Sequence, residues 1–243
     1  MMEKFGAKVT IITAVYNGAQ YIERAIDSIA TQTYGNIEYI VIDGGSTDGT
    51  IDILQRRSDV VTRYISECDN GIYDAMNKGV KIATGDWIYF LGCDDYLYPA
   101  FSEMCCLLKE KHTIYYGNVF HRGRVQDGAF TAYKLSKYPI PHQAILYPRM
   151  VFERYSYDLR YKISADHYLT IQCWHDKDIR FKYCDLVLAR YTEGGFSTQG
   201  DALFQKEKPQ IIRRNFNFWV YLRYRYRLYK YRNKVQWYDK TIE

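Results

Sequence analysis

Asp43 ends the apolar run Ile37-Glu38-Tyr39-Ile40-Val41-Ile42 and opens Gly44-Gly45-Ser46-Thr47-Asp48-Gly49-Thr50. A carboxylate closing an apolar strand suits a donor N–H on a ligand, such as the imide of uracil. The residues after it have a second explanation. Glycine supplies positive φ, and Ser46, Thr47 or Asp48 caps the helix that follows. Asp94 and Asp95 stand after Tyr89-Phe90-Leu91-Gly92-Cys93. Paired carboxylates at a strand end can hold a hard divalent cation whose other ligands are diphosphate oxygens. They can equally cap a helix ahead of Pro99. Farther on, His142-Gln143 follows Pro139-Ile140-Pro141, and Asp166-His167 follows Ile163-Ser164-Ala165. An acid at a helix start is favoured by the helix dipole whatever else it does, and a lone histidine is usually structural.

The elements that must position these groups show in the hydrophobic pattern. Residues 9–14, 37–43, 60–66 and 87–92 are short, β-rich apolar runs. Between them lie helical periods: Ile22, Ala25, Ile26 and Ile29; Ile51 and Leu54; then Ile72, Ala75, Met76, Gly79, Val80 and Ala83. Such alternation predicts a parallel sheet covered on both faces, with ligands bound outside the carboxyl ends of its strands. Thr13 and Asn17, then Asp43, then Glu67 and Asp69, and finally Asp94 and Asp95 all follow or end strands, so they share one rim. Clustered acid is costly unless cations or hydrogen-bond donors meet it; the rim therefore reads as a binding edge. Beyond Asp95 the pattern predicts a helix over 100–111, a strand over 113–119 and a loop-rich excursion over 121–141. A helix over 165–174, a strand over 180–189 and a Gly194-Gly195 loop follow.

Composition narrows the classes. The chain has 243 residues, 47% hydrophobic and 25% charged, which excludes a disordered chain and leaves ample interior for a core. Its longest stretch without Lys, Arg, Asp or Glu is 9–22, too short and too polar to span a bilayer, and no secretory signal is expected at the start. The six cysteines show no paired spacing, as in a reduced compartment. Charge is uneven. Residues 211–243 hold nine of the 33 Lys and Arg but two of the 28 acids, so the tail is +7 and the rest of the chain −2. Within the tail, Tyr221, Tyr224, Leu228, Tyr231, Val235 and Tyr238 form one helical stripe, bordered by Arg223, Arg227, Lys230 and Lys234. Tyrosines beside cations suit an anionic membrane surface; packing of the stripe on the body is the alternative. Arginine and tyrosine also serve nucleic acid, but no nucleic-acid motif accompanies them and none is expected to bind.

Two strings resemble a known family. TAVYNGAQYIERAIDSIATQTYGNIEYIVIDGGSTDGT and DNGIYDAMNKGVKIATGDWIYFLGCDD are similar to the N-terminal half of family 2 glycosyltransferases, and more narrowly to enzymes that build bacterial surface polysaccharides. The likeness is dense over 8–98 and looser over 142–196. It implies an α/β GT-A fold: a Rossmann-like, mostly parallel central sheet with helices on both faces, followed by the basic aromatic helical tail. The domain would be 1–210, with a nucleotide-sugar half (8–98) and an acceptor half (99–210), and the tail 211–243. By position, the resemblance places Thr13, Val15, Asn17 and Asp43 around the nucleoside and Gly71, Asp74 and Asn77 near base, ribose or diphosphate. Asp94 would approach ribose or sugar, and Asp95 would hold Mg2+ or Mn2+. The family often reads Asn-Ser-Asp-Asp where this chain has Gly92-Cys93-Asp94-Asp95. Asp166 matches the base that deprotonates the acceptor hydroxyl, with His167 its rival. His142 and Gln143 match a pair near acceptor or diphosphate, and Gly194-Gly195-Phe196-Ser197 a loop near the donor. The implied activity is inverting, metal-dependent transfer from a nucleotide-diphosphate sugar, with uracil suited by Asp43, to a glycan or lipid-linked glycan. Its place would be cytoplasmic, peripheral on the inner face of the membrane. A non-catalytic nucleotide-sugar sensor anchored by its tail is the alternative.

Overall fold

The β-branched and aromatic runs become strands because their side chains pack well on a pleated, covered surface. The computed structural model describes residues 6–126, 128–192 and 200–239. In chain order these form β1 (Val9–Val15), α1 (Ala19–Ala30), β2 (Ile37–Asp43), α2 (Thr50–Arg56), β3 (Arg63–Ser66), α3 (Ile72–Ile82), β4 (Trp87–Phe90), β5 (Tyr96–Leu97) and α4 (Ala100–Cys106). The second half adds β6 (Thr113–His121), β7 (Arg124–Gln126), α5 (Ala132–Leu135), a 3-10 turn (His142–Ala144), β8 (Ile145–Pro148), α6 (Met150–Arg154), α7 (Ala165–His175), β9 (Arg180–Arg190), α8 (Ala202–Asn215) and α9 (Phe218–Asp239).

One sheet runs through all of it, in the order β3-β2-β1-β4-β8-β6-β9-β5, with β7 beside β6. The nucleotide half is parallel throughout, as expected. The other half is mixed: β8 runs against both β4 and β6, while β9 runs parallel to β6 and antiparallel to β5. "Mostly parallel" therefore holds for one half of the sheet. β8, four buried residues in the second half, was not among the expected strands.

Alternate residues of β1 and β2 go to two cores. Val9, Ile11, Tyr39 and Val41 face α1, whose buried Ile22, Ala25, Ile26 and Ile29 are the predicted stripe. Ile12, Ile40 and Ile42 face α3 and the acceptor half. A Cβ on Gly79 would lie 2.5 Å from Ile12 Cγ2, so glycine lets α3 sit close on the sheet. Ile72, placed in that helix's buried face by its spacing, is 37% exposed.

Residue 210 falls inside α8, so the division at 210 is corrected: the helix break lies at 216–217. The tail stripe is split as well. Tyr221 and Tyr224 pack on the body, and the Arg223 and Arg227 guanidiniums lie 4.0 and 5.2 Å from the rings of Tyr133 and Tyr138. Leu228 and Tyr231 stay exposed, and the side chains of Val235 and Tyr238 lie outside the description. A different set, Phe218, Trp219, Leu222, Tyr226 and Tyr229, faces solvent. No described helix is long and apolar enough to cross a membrane.

Candidate active site

The loops after β1 and β2 are stitched together by side-chain-to-backbone bonds. Asn17, at φ 49°, accepts from the Thr47 N–H through its Oδ1 (2.9 Å), and its own N–H donates to Ser46 Oγ (2.7 Å). Asp48 accepts from the N–H of Ala19, the first residue of α1, at 2.9 Å and from the Thr50 N–H at 3.1 Å. Asp48 thus caps α1 across the gap as well as bonding its own loop, and the Thr50 hydroxyl (2.6 Å) first, then the Ala19 N–H, hold its carboxyl below the usual range. Asp43 is fully buried. Its carboxylate accepts from the N–H groups of Gly45 (3.0 Å) and Ser46 (2.9 Å) and from the hydroxyls of Ser46 and Ser66. The visible work of Asp43 is to organise this turn. Thr13 and Val15 are buried too, Thr13 Oγ1 accepting from the Tyr39 hydroxyl at 3.2 Å. Tyr16, unmarked by the sequence reading, is the large side chain of this rim left 67% exposed, and it borders Gly44.

Gly71 sits at φ 111°, a conformation suited to glycine, and its N–H donates to Asp69 Oδ1 at 2.8 Å. Asp74 accepts from the Asn70 N–H (3.0 Å) and lies 3.8 Å from Lys78 Nζ. Asn77 belongs elsewhere: its amide donates to the Tyr157 carbonyl (2.9 Å) and accepts from the Tyr157 N–H (3.0 Å). It clasps the two halves of the protein together instead of facing the nucleotide rim.

At the end of β4, Asp95 is 1% exposed. Its Oδ1 accepts from the Thr192 N–H (2.8 Å) and its Oδ2 from Gln143 Nε2 (2.6 Å). Burial, and after it the neighbouring charge of Asp94, pushes its carboxyl up to about 6. A Cβ at Gly92 would come within 2.5 Å of Asp95 Oδ2 and 3.0 Å of Asp94 Oδ1. Glycine at 92 therefore gives both acids room in this chain. The Asp94 carbonyl is held by the Arg24 guanidinium (2.5 Å) and the Thr192 hydroxyl (2.7 Å). Among the described residues no group of three His, Cys, Asp or Glu forms a metal cage. Two adjacent carboxylates nevertheless fit a cation that takes its remaining ligands from diphosphate and water.

Gln143 is buried, so its amide braces Asp95 and does not face an acceptor. His142, its neighbour, puts Nδ1 3.6 Å from Asp166 Oδ2, while its Nε2 is buried without a hydrogen-bond partner. Asp166 Oδ1 accepts from the His167 N–H (2.7 Å) and lies 3.1 Å from the Tyr73 hydroxyl, which also reaches the Ile163 carbonyl. Two consecutive residues thus connect Asp95 to Asp166. His167 is excluded as the base. It is buried against Phe204, its Nε2–H donates to the Leu135 carbonyl at 2.7 Å, and burial drives its ring down to about 4. Tyr73 and Thr192 escaped the sequence reading. Tyr73 stood between two marked residues, but Thr192 acts through its main chain and leaves no trace in residue type. Gly194-Gly195-Phe196-Ser197 lies outside the described residues.

The profile described as glycosyl transferase family 2 matches residues 10–170. The chain belongs to this family. A relative, the PGL/p-HBAD biosynthesis glycosyltransferase of Mycobacterium bovis (strain BCG / Pasteur 1173P2), is 39% identical over 217 residues, 84% of this chain and 85% of its own length. S. aureus TarS superposes with a TM-score of 0.67 at 18% identity, over 84% of this chain and 42% of TarS. The mannosyltransferase PcManGT from Pyrobaculum calidifontis, solved with GDP-Man and Mn2+, gives 0.64 at 18% identity, over 86% of this chain and 63% of its own. The fold of this family 2 protein is the GT-A fold, and it is a glycosyltransferase.

Proposed function

We propose that this glycosyltransferase is inverting and metal-dependent, moving a hexosyl or N-acetylhexosaminyl group from a UDP-sugar to a hydroxyl of a glycan or lipid-linked glycan in bacterial surface-polysaccharide synthesis. The observation that carries the reading is the link Asp95–Gln143–His142–Asp166, which brings the acid of the diphosphate end within two residues of a carboxylate suited to proton removal. Neighbouring folds point the same way: one TarS structure holds UDP, another UDP-GlcNAc, and PcManGT holds GDP-Man with Mn2+.

In this reading the nucleoside lies on the loops after β1 and β2, with Tyr16 offering a flat face to the base and Asp43 setting the turn beneath it. Asp95, with Asp94 beside it toward the ribose or sugar, would hold Mg2+ or Mn2+, and the ion would supply positive charge to the leaving diphosphate. As the acceptor oxygen attacks the anomeric carbon, Asp166 takes its proton and the nucleoside diphosphate departs with the bonding pair. His142 Nε2 meets an acceptor or diphosphate oxygen, which relieves an orphaned buried nitrogen otherwise worth about 1–3 kcal/mol of lost solvation. The aromatic face of α9, with Arg225 and Lys230 beside it, rests on an anionic membrane from the cytoplasmic side.

Thermal melts with UDP, GDP or dTDP, each with and without Mn2+, test the donor. A nucleotide at a hundred times its dissociation constant stabilises a fold by about 2.7 kcal/mol. UDP with Mn2+ is expected to give the largest shift, and Asp95→Asn to abolish the metal's share of it. No shift with any nucleotide would end this reading.

A further inference from the structure

Beside the acid pair lies an open cavity of about 600 Å3 lined by Arg24, Arg122, Gly123, Arg190, Tyr191 and Thr192. Three guanidiniums in one cavity call for an explanation, since like charges repel unless something neutralises them. The protein's own acids do not do so for two of them. Arg24 donates to the Asp94 carbonyl and to Thr192 Oγ1 (3.3 Å), both uncharged acceptors. Arg190 reaches the Tyr96 hydroxyl at 3.4 Å and otherwise lies over the rings of Tyr96 and Phe120, 6.0 and 5.7 Å from their centroids. Arg24 covers Tyr96 as well, at 5.0 Å. One aromatic ring thus spaces two cations at the wall of one cavity and limits the conformations they must give up on binding.

We infer that this cavity is a phosphate-binding subsite for the acceptor. Arginine forks match phosphate oxygens in pairs, and Arg24 and Arg190, both bonded to uncharged acceptors, leave two positive charges for such a group to meet. The placement favours the acceptor over the donor. No residue of the loops after β1, β2 or β3 lines the cavity, whereas Thr192 joins it to Asp95 through one backbone hydrogen bond. A phosphate or diphosphate carried by the acceptor would therefore lie next to the metal end of the site. The inference rests on the glycosyltransferase reading above and names the acceptor class for it: glycans whose reducing end bears a phosphate.

Calorimetry with a short alkyl diphosphate, octyl glucoside and UDP with Mn2+ tests it on the wild type, Arg190→Gln and Arg190→Lys, all checked for unchanged melting. The alkyl diphosphate should bind the wild type and do so equally with the UDP site filled. Arg190→Gln should weaken it at least about tenfold, the worth of roughly one charged hydrogen bond. Arg190→Lys should recover part of the loss, and octyl glucoside should not distinguish the three proteins. UDP affinity should stay the same in all of them. Competition between alkyl diphosphate and UDP, or parallel loss of UDP affinity in Arg190→Gln, would assign the cavity to the donor's diphosphate and overturn the inference. So would equal binding of alkyl diphosphate to wild type and Arg190→Gln, or no binding at all. Failure of UDP alone to bind would instead strike the donor assignment and leave the alkyl diphosphate result standing.

Discussion

Asp166 has two oxygens with different work. Oδ1 is tied to the His167 N–H and the Tyr73 hydroxyl, which fix the rotamer; Oδ2 faces His142 at 3.6 Å. An amide at 166 keeps the shape and loses the basicity, so Asp166→Asn should lower turnover by about 10² or more, typical of a lost general base, with UDP affinity unchanged in a direct titration. His167, one residue on, is governed chiefly by burial, with the charge of Lys208 acting in the same direction. Its ring is held at about 4 against an ordinary 6.5. Between those values the unfolded chain takes up a proton that the folded chain refuses, so stability falls as pH falls through that window. The loss should approach about 3 kcal/mol at its acid end, and His167→Gln should flatten the pH dependence of the urea midpoint. A sequence shows both residues as polar groups at a helix start. Which one is wet depends on α8, whose Phe204 covers the imidazole, and that helix carries no mark of its role. Asp94 and Asp95 were legible because strand ends gather polar residues at the rim. Gln143 was expected near acceptor or diphosphate; its brace on Asp95 comes from the 3-10 turn ahead of β8, which the hydrophobic pattern did not show.

Among the elements, α9 is held by few groups. Tyr224 is 5% exposed, and Arg223 and Arg227 lie over the rings of Tyr133 and Tyr138. Cation–ring contacts at such partly exposed places contribute about 0.5–1 kcal/mol each; removing a buried aromatic costs about 3 kcal/mol or more. Tyr224→Ala should therefore lower the melting temperature and expose the last helix to limited proteolysis, while Tyr226→Ala on the opposite face should do neither. The sequence showed a tyrosine-cation stripe and offered two uses for it. The structure assigns its first turns to packing because α5 and α8 meet them there. It leaves a second stripe, one residue class richer in Phe, Trp and Leu, for other contacts. Helical period finds the faces of a helix but cannot say which face the body claims.

At the scale of the whole molecule, charge and shape divide the labour: a near-neutral body carries the chemistry, and the +7 segment carries the exposed aromatic face. Vesicles with anionic lipid should bind the full chain at low salt and release it as ionic strength approaches 1 M, where screening shortens to about 3 Å. Trp219→Ala with Tyr226→Ala should weaken sedimentation with those vesicles and leave UDP binding intact; a full chain indifferent to anionic vesicles at low salt would refute the membrane role. The sheet order adds a consequence in time. The β1–β2 and β2–β3 pairs join near neighbours along the chain, whereas β5, just after Asp95, has as its partner β9, some ninety residues later. During synthesis the nucleoside end can fold as it emerges, but Thr192, whose N–H fixes Asp95, comes two residues past the end of β9. A nascent chain stalled before residue 180 should thus shelter its first three parallel strands from protease while the acid pair stays unseated. Assembly from the ribosome outward withholds the reactive end of the cleft until β9 and Thr192 have been made.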